Sequence, residues 1–501
     1  MSTDHPHVNR CETPGGSRDS RDASLPARSE FASDPAPRGT FNLISLGCPK
    51  NLIDSECMAG LLTQAGYRMV DTPEGADFVL INTCAFIAAA REESEQVIAE
   101  MVDLKARRRL GGIIVAGCLP QREAGQLLER HPLVDRALGV FARDRIIEVA
   151  DSLVARGDGE RLAMCDSGRM PACDALRLRV TPPHVAYLRI AEGCDRTCSF
   201  CTIPSIRGPY RSKPIEQVLA EAERLIETGV KELVIVAQDT SYYGFDLYGK
   251  PRLAELLARL DSLPGLAWIR LMYLYPTHIT EELIGAIASL PRVLPYLDLP
   301  LQHIDDTVLR RMRRAVTRAQ IEKLLDRLRQ AIDGLVLRTT FIVGFPGETK
   351  QQFNALLRFT QQQRFERLGV FCYSDEPGTP AATLDGKVPQ QTINRRRQRL
   401  MAAQQQVAFA FSQSQVGKQL EVIIDATMPD AENAYLGRTW ADVPEIDAAV
   451  YITGQDLQVG QIVRAEIVAA RGYDLIAVAG TALRGDDQTQ RPSGSRSEGL
   501  S

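Results

Sequence analysis

The sequence has no run of about 18 or more apolar residues, the length a membrane-spanning helix requires, so no membrane span is expected. Its opening stretch, MSTDHPHVNRCETPGGSRDSRDASLPARSEF, lacks the apolar core of a secretory signal. It also lacks a large excess of either charge. The 59 Lys and Arg against 63 Asp and Glu leave a net −4, which excludes a strongly basic protein that coats nucleic acid but leaves room for a local patch. Evenly paired cysteines are missing as well. There are eleven, an odd number, and six fall at strand ends or in one loop. That pattern favours metal ligation in a reducing cytoplasm over disulfides, with oxygen sensitivity as a consequence.

One more absence is local. The stretch Gly193 to Gly208, GCDRTCSFCTIPSIRG, places Cys194, Cys198 and Cys201 in the spacing CxxxCxxC, with no fourth cysteine or histidine nearby. Clusters built for electron transfer normally have four thiolates. Three on a short loop would leave one iron of a cubane open. An open iron can take the amino and carboxylate groups of S-adenosylmethionine (SAM), whose reductive cleavage yields an organic radical. A zinc loop and cysteines buried as small hydrophobes are the plainer alternatives. The first of these lacks its fourth ligand. The spacing, with Phe200 directly before the last cysteine, resembles the signature of the radical-SAM enzymes.

At 501 residues, 44% apolar and 24% charged, the chain has room for two to four ordinary globular domains. Residues 1–40, rich in Ser, Asp, Arg, Pro and Gly, are expected to be disordered, with Cys11 incidental. Residues 41–150 alternate apolar strands with helices. FNLISLGC ends at Cys48, DFVLINTC at Cys84 and GIIVAGC at Cys118, with a fourth strand at Arg136 to Val140. A helix is expected from Asp54 or Ser55, as N-cap, through Val70, and another through Arg108. The pattern predicts a doubly wound parallel sheet, which binds ligands beyond the carboxyl ends of its strands. Cys48, Cys84 and Cys118 would converge there. Each alone reads equally as core; their repetition at one position of three βα units points to a shared ligand. Cys57, within the helix, is read as core packing. Residues 151–182 read as a linker, in which Cys165 and Cys173 show no role.

Residues 183–411 carry six strands, VAYLRIAEGC, ELVIVAQD, WIRLMYLY, YLDLPLQ, LRTTFIVGF and RLGVFCYS, with helical segments such as Ile215 to Thr228 and Thr317 to Ala331 between them. This predicts a partial TIM-type (β/α)6 barrel with its site at the C-terminal strand ends, where the cysteine loop emerges. Gln238, Asp239, Gln302, His303 and Gly344 to Glu348 occupy those ends. Gln238 and Gln302 read equally as strand-end hydrogen bonders, and His303 receives no role. GFPGET, Gly344 to Thr349, can be a tight turn or a close backbone approach to a ligand. It resembles the motif that lines the adenosine site of radical-SAM enzymes, which makes Phe200, Gly344 and Glu348 cofactor-binding candidates. Asn394 to Arg399 reads as a solvated helix face, and Cys372 has no visible role. Residues 413–484 change to short strands separated by Gly, Asp and Pro, a small antiparallel OB-like barrel. Its five basic residues face ten acidic ones, a balance that should repel RNA and attract a basic protein. Residues 485–501 read as a disordered tail.

Across residues 41–484 the chain resembles the methylthiotransferases, which join a domain with three scattered cluster cysteines, a radical-SAM partial barrel and a small TRAM barrel. Within that family, SLGCPKNLIDSE, GCDRTCSFCTIPSIRG, VAQDTSYYG, LDLPLQH and ADVPEID are similar to the branch that modifies an aspartate of ribosomal protein S-twelve of the small subunit. Arg is expected more often than Cys at position 57. The resemblance implies two 4Fe–4S clusters and SAM. The one on Cys194, Cys198 and Cys201 would cleave SAM, and the resulting radical would take hydrogen from the aspartate β-carbon. The one on Cys48, Cys84 and Cys118 would present sulfur, and a second SAM would methylate it. It further implies a cytoplasmic monomer reduced by flavodoxin or ferredoxin, without sequence-specific nucleic-acid binding. A tRNA adenosine methylthiotransferase with the same chemistry, and a non-catalytic two-cluster electron carrier, remain as alternatives.

Overall fold

The structure, a computed structural model, describes residues 38–155, 157, 159–166, 174, 176–429 and 431–480. The expected tail, Cys11, Cys173 and all but the last three residues of the expected N-terminal extension lie outside the described residues. The chain divides into two compact units, Met1–Leu178 and Arg179–Ser501. No helix among the described residues is long and apolar enough to cross a membrane.

The first unit holds strands β1 (Gly39–Ser45), β2 (Tyr67–Met69), β3 (Phe78–Thr83), β4 (Ile113–Gly117), β5 (Arg136–Gly139) and β6 (Leu162–Ala163). They form one sheet in the order β2-β1-β3-β4-β5-β6, with every pairing parallel. Every residue of β3 and β4 is buried, as expected of parallel strands covered on both faces. Three expectations need correction. Gly39 and Thr40 already belong to β1 rather than to a disordered extension. The first helix runs Pro49–Gln64, starting on a proline behind Cys48 as N-cap, not at Asp54 or Ser55. Gly66, at φ +94°, ends that helix, and Tyr67–Met69 leaves it to become an edge strand of the sheet. The expected linker opens inside a helix, Ile146–Val154, and carries β6. Its later part packs back on the first unit, where the Leu178 amide donates to the Glu56 carbonyl. Cys57 is fully buried, as expected of core, yet its thiol faces the Asp174 carboxylate at 3.5 Å.

The second unit opens with β7 (Val185–Arg189), a two-residue β8 (Ala191–Glu192) and β9 (Arg211–Ser212), which pairs antiparallel with β8. Then come β10 (Glu232–Val236), β11 (Trp268–Leu271), β12 (Val293–Asp298), β13 (Val336–Val343) and β14 (Arg367–Cys372). The sheet order is β14-β13-β12-β11-β10-β7, all parallel and open at β7 and β14, the expected six-stranded partial barrel. Ile215, Val218, Leu219, Ala222 and Leu225 recur at helical spacing on Ile215–Glu227 and enter its core. The Arg318–Ala331 and Lys350–Gln363 helices both open on capping boxes, Thr317 with Gln320 and Thr349 with Gln352.

After the Gln390–Gln413 helix, strands β15 (Gln419–Thr427), β16 (Ala434–Arg438), β17 (Val450–Thr453), β18 (Ile462–Arg471) and β19 (Asp474–Ala479) close a barrel in the order β15-β16-β17-β19-β18. The barrel is not wholly antiparallel, because β17 and β19 run parallel where it closes.

Buried charge joins barrel to sheet. The Glu232 carboxylate, fully buried on β10, meets Arg270 Nε at 2.7 Å and the Arg438 guanidinium of the barrel at 2.8 Å. Burial pushes that carboxyl up, but the Arg438 and Arg270 charges outweigh burial and hold it below its usual range. Arg270 also donates to the Trp440 carbonyl at 2.6 Å. Asp442 pairs with Arg367 of β14 at 2.5 Å, and Asp447 accepts from the Tyr296 hydroxyl at 2.7 Å. The barrel's acidic excess is therefore partly internal. Asp425, Asp442 and Asp447 face Arg438, Arg367 and Arg338, while Glu432, Glu445, Asp456 and Glu466 are exposed beside exposed Lys418, Arg464 and Arg471. Among the described residues the barrel's exposed charges stay acidic, four against three, with Glu421 and Asp474 half-buried besides. Glu232→Ala should lower unfolding stability by about 3–5 kcal/mol in denaturant titration, because two guanidiniums would stay buried without their shared partner.

Candidate functional site

The radical-type loop begins where β7 and β8 end. Gly193, at φ +77°, makes the turn, and a Cβ there would stand 2.0 Å from the Pro209 carbonyl oxygen. The Cys194 amide then closes onto the Gly208 carbonyl at 3.1 Å, which pins both ends of the loop together. The middle is tied down at Ser199, whose amide donates to the Met312 carbonyl and whose carbonyl accepts from the Ala381 amide. Phe200 packs partly buried against Val308, Met312, Ile342, Phe345, Tyr373 and Ala381, and anchors the loop by apolar contact.

Cys194 is buried, and Cys198 and Cys201 are partly so. Burial, with smaller contributions from the neighbouring cysteines, pushes the Cys194 thiol up to about 11 and the Cys201 thiol up to about 12. The three sulfurs thus stand within electrostatic reach of one another, in surroundings that oppose thiolates without a compensating cation. Donors already point at them. The Arg196 amide reaches Cys194 Sγ at 3.4 Å, the Ile203 amide reaches Cys201 Sγ at 3.4 Å, and Arg314 reaches Cys198 Sγ at 3.9 Å. Such donors stabilise metal-bound thiolates, so the residues present fit an iron–sulfur cluster. Among the described residues no three His, Cys, Asp or Glu side chains stand close enough to share one ion, unlike a preformed zinc site.

The other strand-end residues gather around this loop. Glu192 accepts from buried Arg189 and Arg207 at 2.6 and 3.0 Å and from Gln238 at 2.7 Å. Asp239 accepts two bonds from Arg196, at 2.8 and 2.6 Å. Gln302 sits at φ +71° on a parallel bridge to Phe341. His303 is fully buried, and its Nδ1 accepts from the Asp305 amide at 3.0 Å. Among these strand-end residues and Glu348, the buried atoms Gln238 Oε1, Gln302 Oε1, His303 Nε2 and Glu348 Oε1 have no hydrogen-bond partner. Buried groups seldom remain so without a ligand or water to meet them.

Glu348 is placed otherwise than as a surface contact. Its carboxylate lies wholly inside, accepting from the Gly344 amide and from Arg396 at 2.8 Å, with His303 Nε2 at 3.5 Å. It holds the Gly344–Thr349 turn shut. Gly344 itself has φ +79°, and a Cβ there would collide with Ile393. Arg396 escaped the sequence reading because it lies inside a run whose other arginines are exposed. Arg196 and Arg314 escaped it because nothing in their local spacing distinguishes them from surface charge. Cys372, at the end of β14, stands 3.8 Å from Asn394 Oδ1.

In the first unit, β1, β3 and β4 are neighbours; Cys84 and Cys118 follow β3 and β4 directly, and Cys48 follows β1 after Leu46 and Gly47. The structure therefore brings these three to one sheet edge. Gly47, at φ +94°, lets the chain pass Cys84; a Cβ there would stand 2.7 Å from Cys84 Cβ and 3.2 Å from its sulfur. Asn51 ties the edge together, donating to the Leu46 and Thr83 carbonyls at 3.1 and 2.9 Å and accepting from Cys118 Sγ at 3.5 Å. Ser94 grips the Cys84 backbone from the following helix. Cys57 is buried on the first helix, and Cys165 is buried after β6, at the carboxyl end of a strand two places from β4.

Residues 40–139 match Uncharacterized protein family UPF0004, residues 188–360 the Radical SAM superfamily, and residues 416–479 the TRAM domain. Ribosomal protein uS12 methylthiotransferase RimO of Syntrophus aciditrophicus is 46% identical over 442 residues, 87% of this chain and 98% of that protein. The RimO of Desulforamulus reducens is 42% identical over 438 residues, 87% and 98% of the two chains. Among solved structures, the radical S-adenosylmethionine methyltransferase TsrM of Kitasatospora setae shares the fold, with TM-score 0.52, 15% identity and coverage of 69% and 74%.

Gly193→Ala is expected to lower the melting temperature clearly more than Gly249→Ala, a position with φ +69° but open space around it. The control carries only the backbone strain of about 1–3 kcal/mol. Equal losses in calorimetry would show that the Pro209 contact does not shape the loop.

Proposed function

This chain belongs to the RimO family of ribosomal protein uS12 methylthiotransferases, and from that membership we infer that it adds a methylthio group to the β-carbon of an aspartate in uS12. The observation that carries the chemistry is the loop of Cys194, Cys198 and Cys201, three thiols on one short loop, each with a donor on its sulfur. A 4Fe–4S cluster held there supplies the electron that cleaves SAM and so generates a radical able to take hydrogen from a carbon far too weakly acidic for a general base. The chain's own part is to bind, orient and keep water out. Phe200 fixes the loop on its apolar seat. The unpartnered atoms of Gln238 and Gln302 offer polar contacts to SAM. Glu348, held by Arg396, keeps the Gly344 backbone in place for a close approach.

Cys48, Cys84 and Cys118 are assigned to a second 4Fe–4S cluster, which supplies sulfur for transfer. Support comes from their repeated position after three adjacent strands and from the Asn51 and Gly47 arrangement that crowds that edge. Two cubanes require about eight irons per chain. The Cys48→Ala, Cys84→Ala, Cys118→Ala triple variant should then retain about four. A count still near eight would remove the second cluster from these residues. The electron donor is of the flavodoxin or ferredoxin type, and the protein works as a monomer in the cytoplasm, where thiolates stay reduced.

The direct test is mass spectrometry of uS12 from cells with and without the gene. The expected outcome is a methylthio mass increase on one aspartate that vanishes on deletion and returns with the wild-type gene but not with Cys198→Ala. An unmodified uS12 alongside a lost methylthioadenosine in tRNA would assign the chain to the tRNA-modifying branch instead. Absence of 5′-deoxyadenosine with SAM and dithionite would reduce it to an electron carrier.

A further inference from the structure

Arg314 follows the Asp306–Arg311 helix and is only 8% exposed, yet among the described residues no carboxylate pairs with it. One nitrogen donates to the Pro300 carbonyl at 2.6 Å, another reaches Cys198 Sγ at 3.9 Å, and Nε has no partner. A buried guanidinium without a counter-charge is strongly unfavourable unless an anion completes its surroundings. The Cys198 sulfur, which one of its nitrogens reaches, can become that anion.

Its position is set by a ring. The Arg314 guanidinium carbon stands 4.1 Å over the Tyr275 ring centre, and that of Arg196 stands 4.2 Å over the same ring. Both lie well within cation–π range of the ring's negative face. The ring is fixed at both ends: its hydroxyl accepts from the Ala315 amide at 3.3 Å, and the Tyr275 amide donates to Ser241 Oγ at 2.9 Å. The two arginines differ in charge balance. Arg196 is neutralised by Asp239 at 2.6 Å. Arg314 is not, so it contributes the uncompensated positive charge beside the three cysteines.

We propose that Arg314, held on Tyr275, is a positioning residue that raises the reduction potential of the cluster on Cys194, Cys198 and Cys201. One-electron reduction adds a negative charge to the cluster. A fixed cation near a ligating sulfur stabilises the reduced form more than the oxidised form, and hydrogen bonds to the sulfurs act in the same direction. The stack thereby brings the cluster within reach of a low-potential donor before SAM arrives.

The test is a dithionite redox titration of the iron-loaded protein without SAM or uS12, followed by electron paramagnetic resonance. In Arg314→Gln the ratio of reduced to oxidised cluster at a fixed potential should fall about tenfold, which is 59 mV for a one-electron couple. Arg314→Lys keeps the charge and should stay near wild type. Tyr275→Leu should fall severalfold, and Tyr275→Phe, which keeps the ring, should not. An unchanged potential in fully loaded Arg314→Gln overturns the proposal. If that variant loses its iron, Tyr275→Leu decides, and an unchanged potential there overturns it equally. The inference rests on a cluster at these cysteines; wild-type protein that takes up no iron there would sink that assignment, whereas a loaded protein with an indifferent Arg314 sinks only this one.

Discussion

Three sulfurs cannot cover the four irons of a cubane, and the surroundings of Cys194, Cys198 and Cys201 are built around that shortfall. The loop is short, closed at its neck by Cys194 and Gly208, and seated on apolar residues through Phe200. It emerges at the carboxyl edge of a parallel sheet, where strand ends supply Gln238, Asp239, Gln302 and His303 without distorting the strands themselves. Several strained and unsatisfied features stand at this edge: Gln302 at positive φ, buried polar atoms of Gln238 and Gln302 without partners, and Arg314 without a carboxylate. Such features persist where a ligand repays them.

The same unit handles its other charges differently. Glu232, Arg270, Arg438 and Asp425 form a compensated buried network between sheet and barrel, and Asp442 with Arg367 extends it. Each of these charges faces an opposite one, whereas Arg314 at the cysteine loop faces no carboxylate among the described residues. These pairings also change what the barrel's composition means, since much of its acidity is committed to holding it on the sheet and is not displayed to a partner.

The strands, the cysteine loop and the convergence of Cys48, Cys84 and Cys118 on one sheet edge were legible because they depend on local pattern: apolar runs of strand length, a fixed cysteine spacing, and a cysteine repeated after each of three strands. Failures came where the outcome depended on tertiary partners. Tyr67–Met69 has the composition of a helix end, but Gly66 turns it into an edge strand beside β1. Arg396 looked like one more surface charge, because only the fold reveals Glu348 beneath it.

The account stands on an iron left open by three thiolates and taken by SAM. The measurement that reaches this directly is electron–nuclear double resonance on the reduced protein with SAM labelled at its amino nitrogen and carboxylate. A hyperfine coupling from the label to the cluster, lost in Cys201→Ala, is the predicted result. A well-loaded, reduced cluster that shows no coupling to bound labelled SAM would mean that its irons are all otherwise liganded, and would contradict the account at its centre.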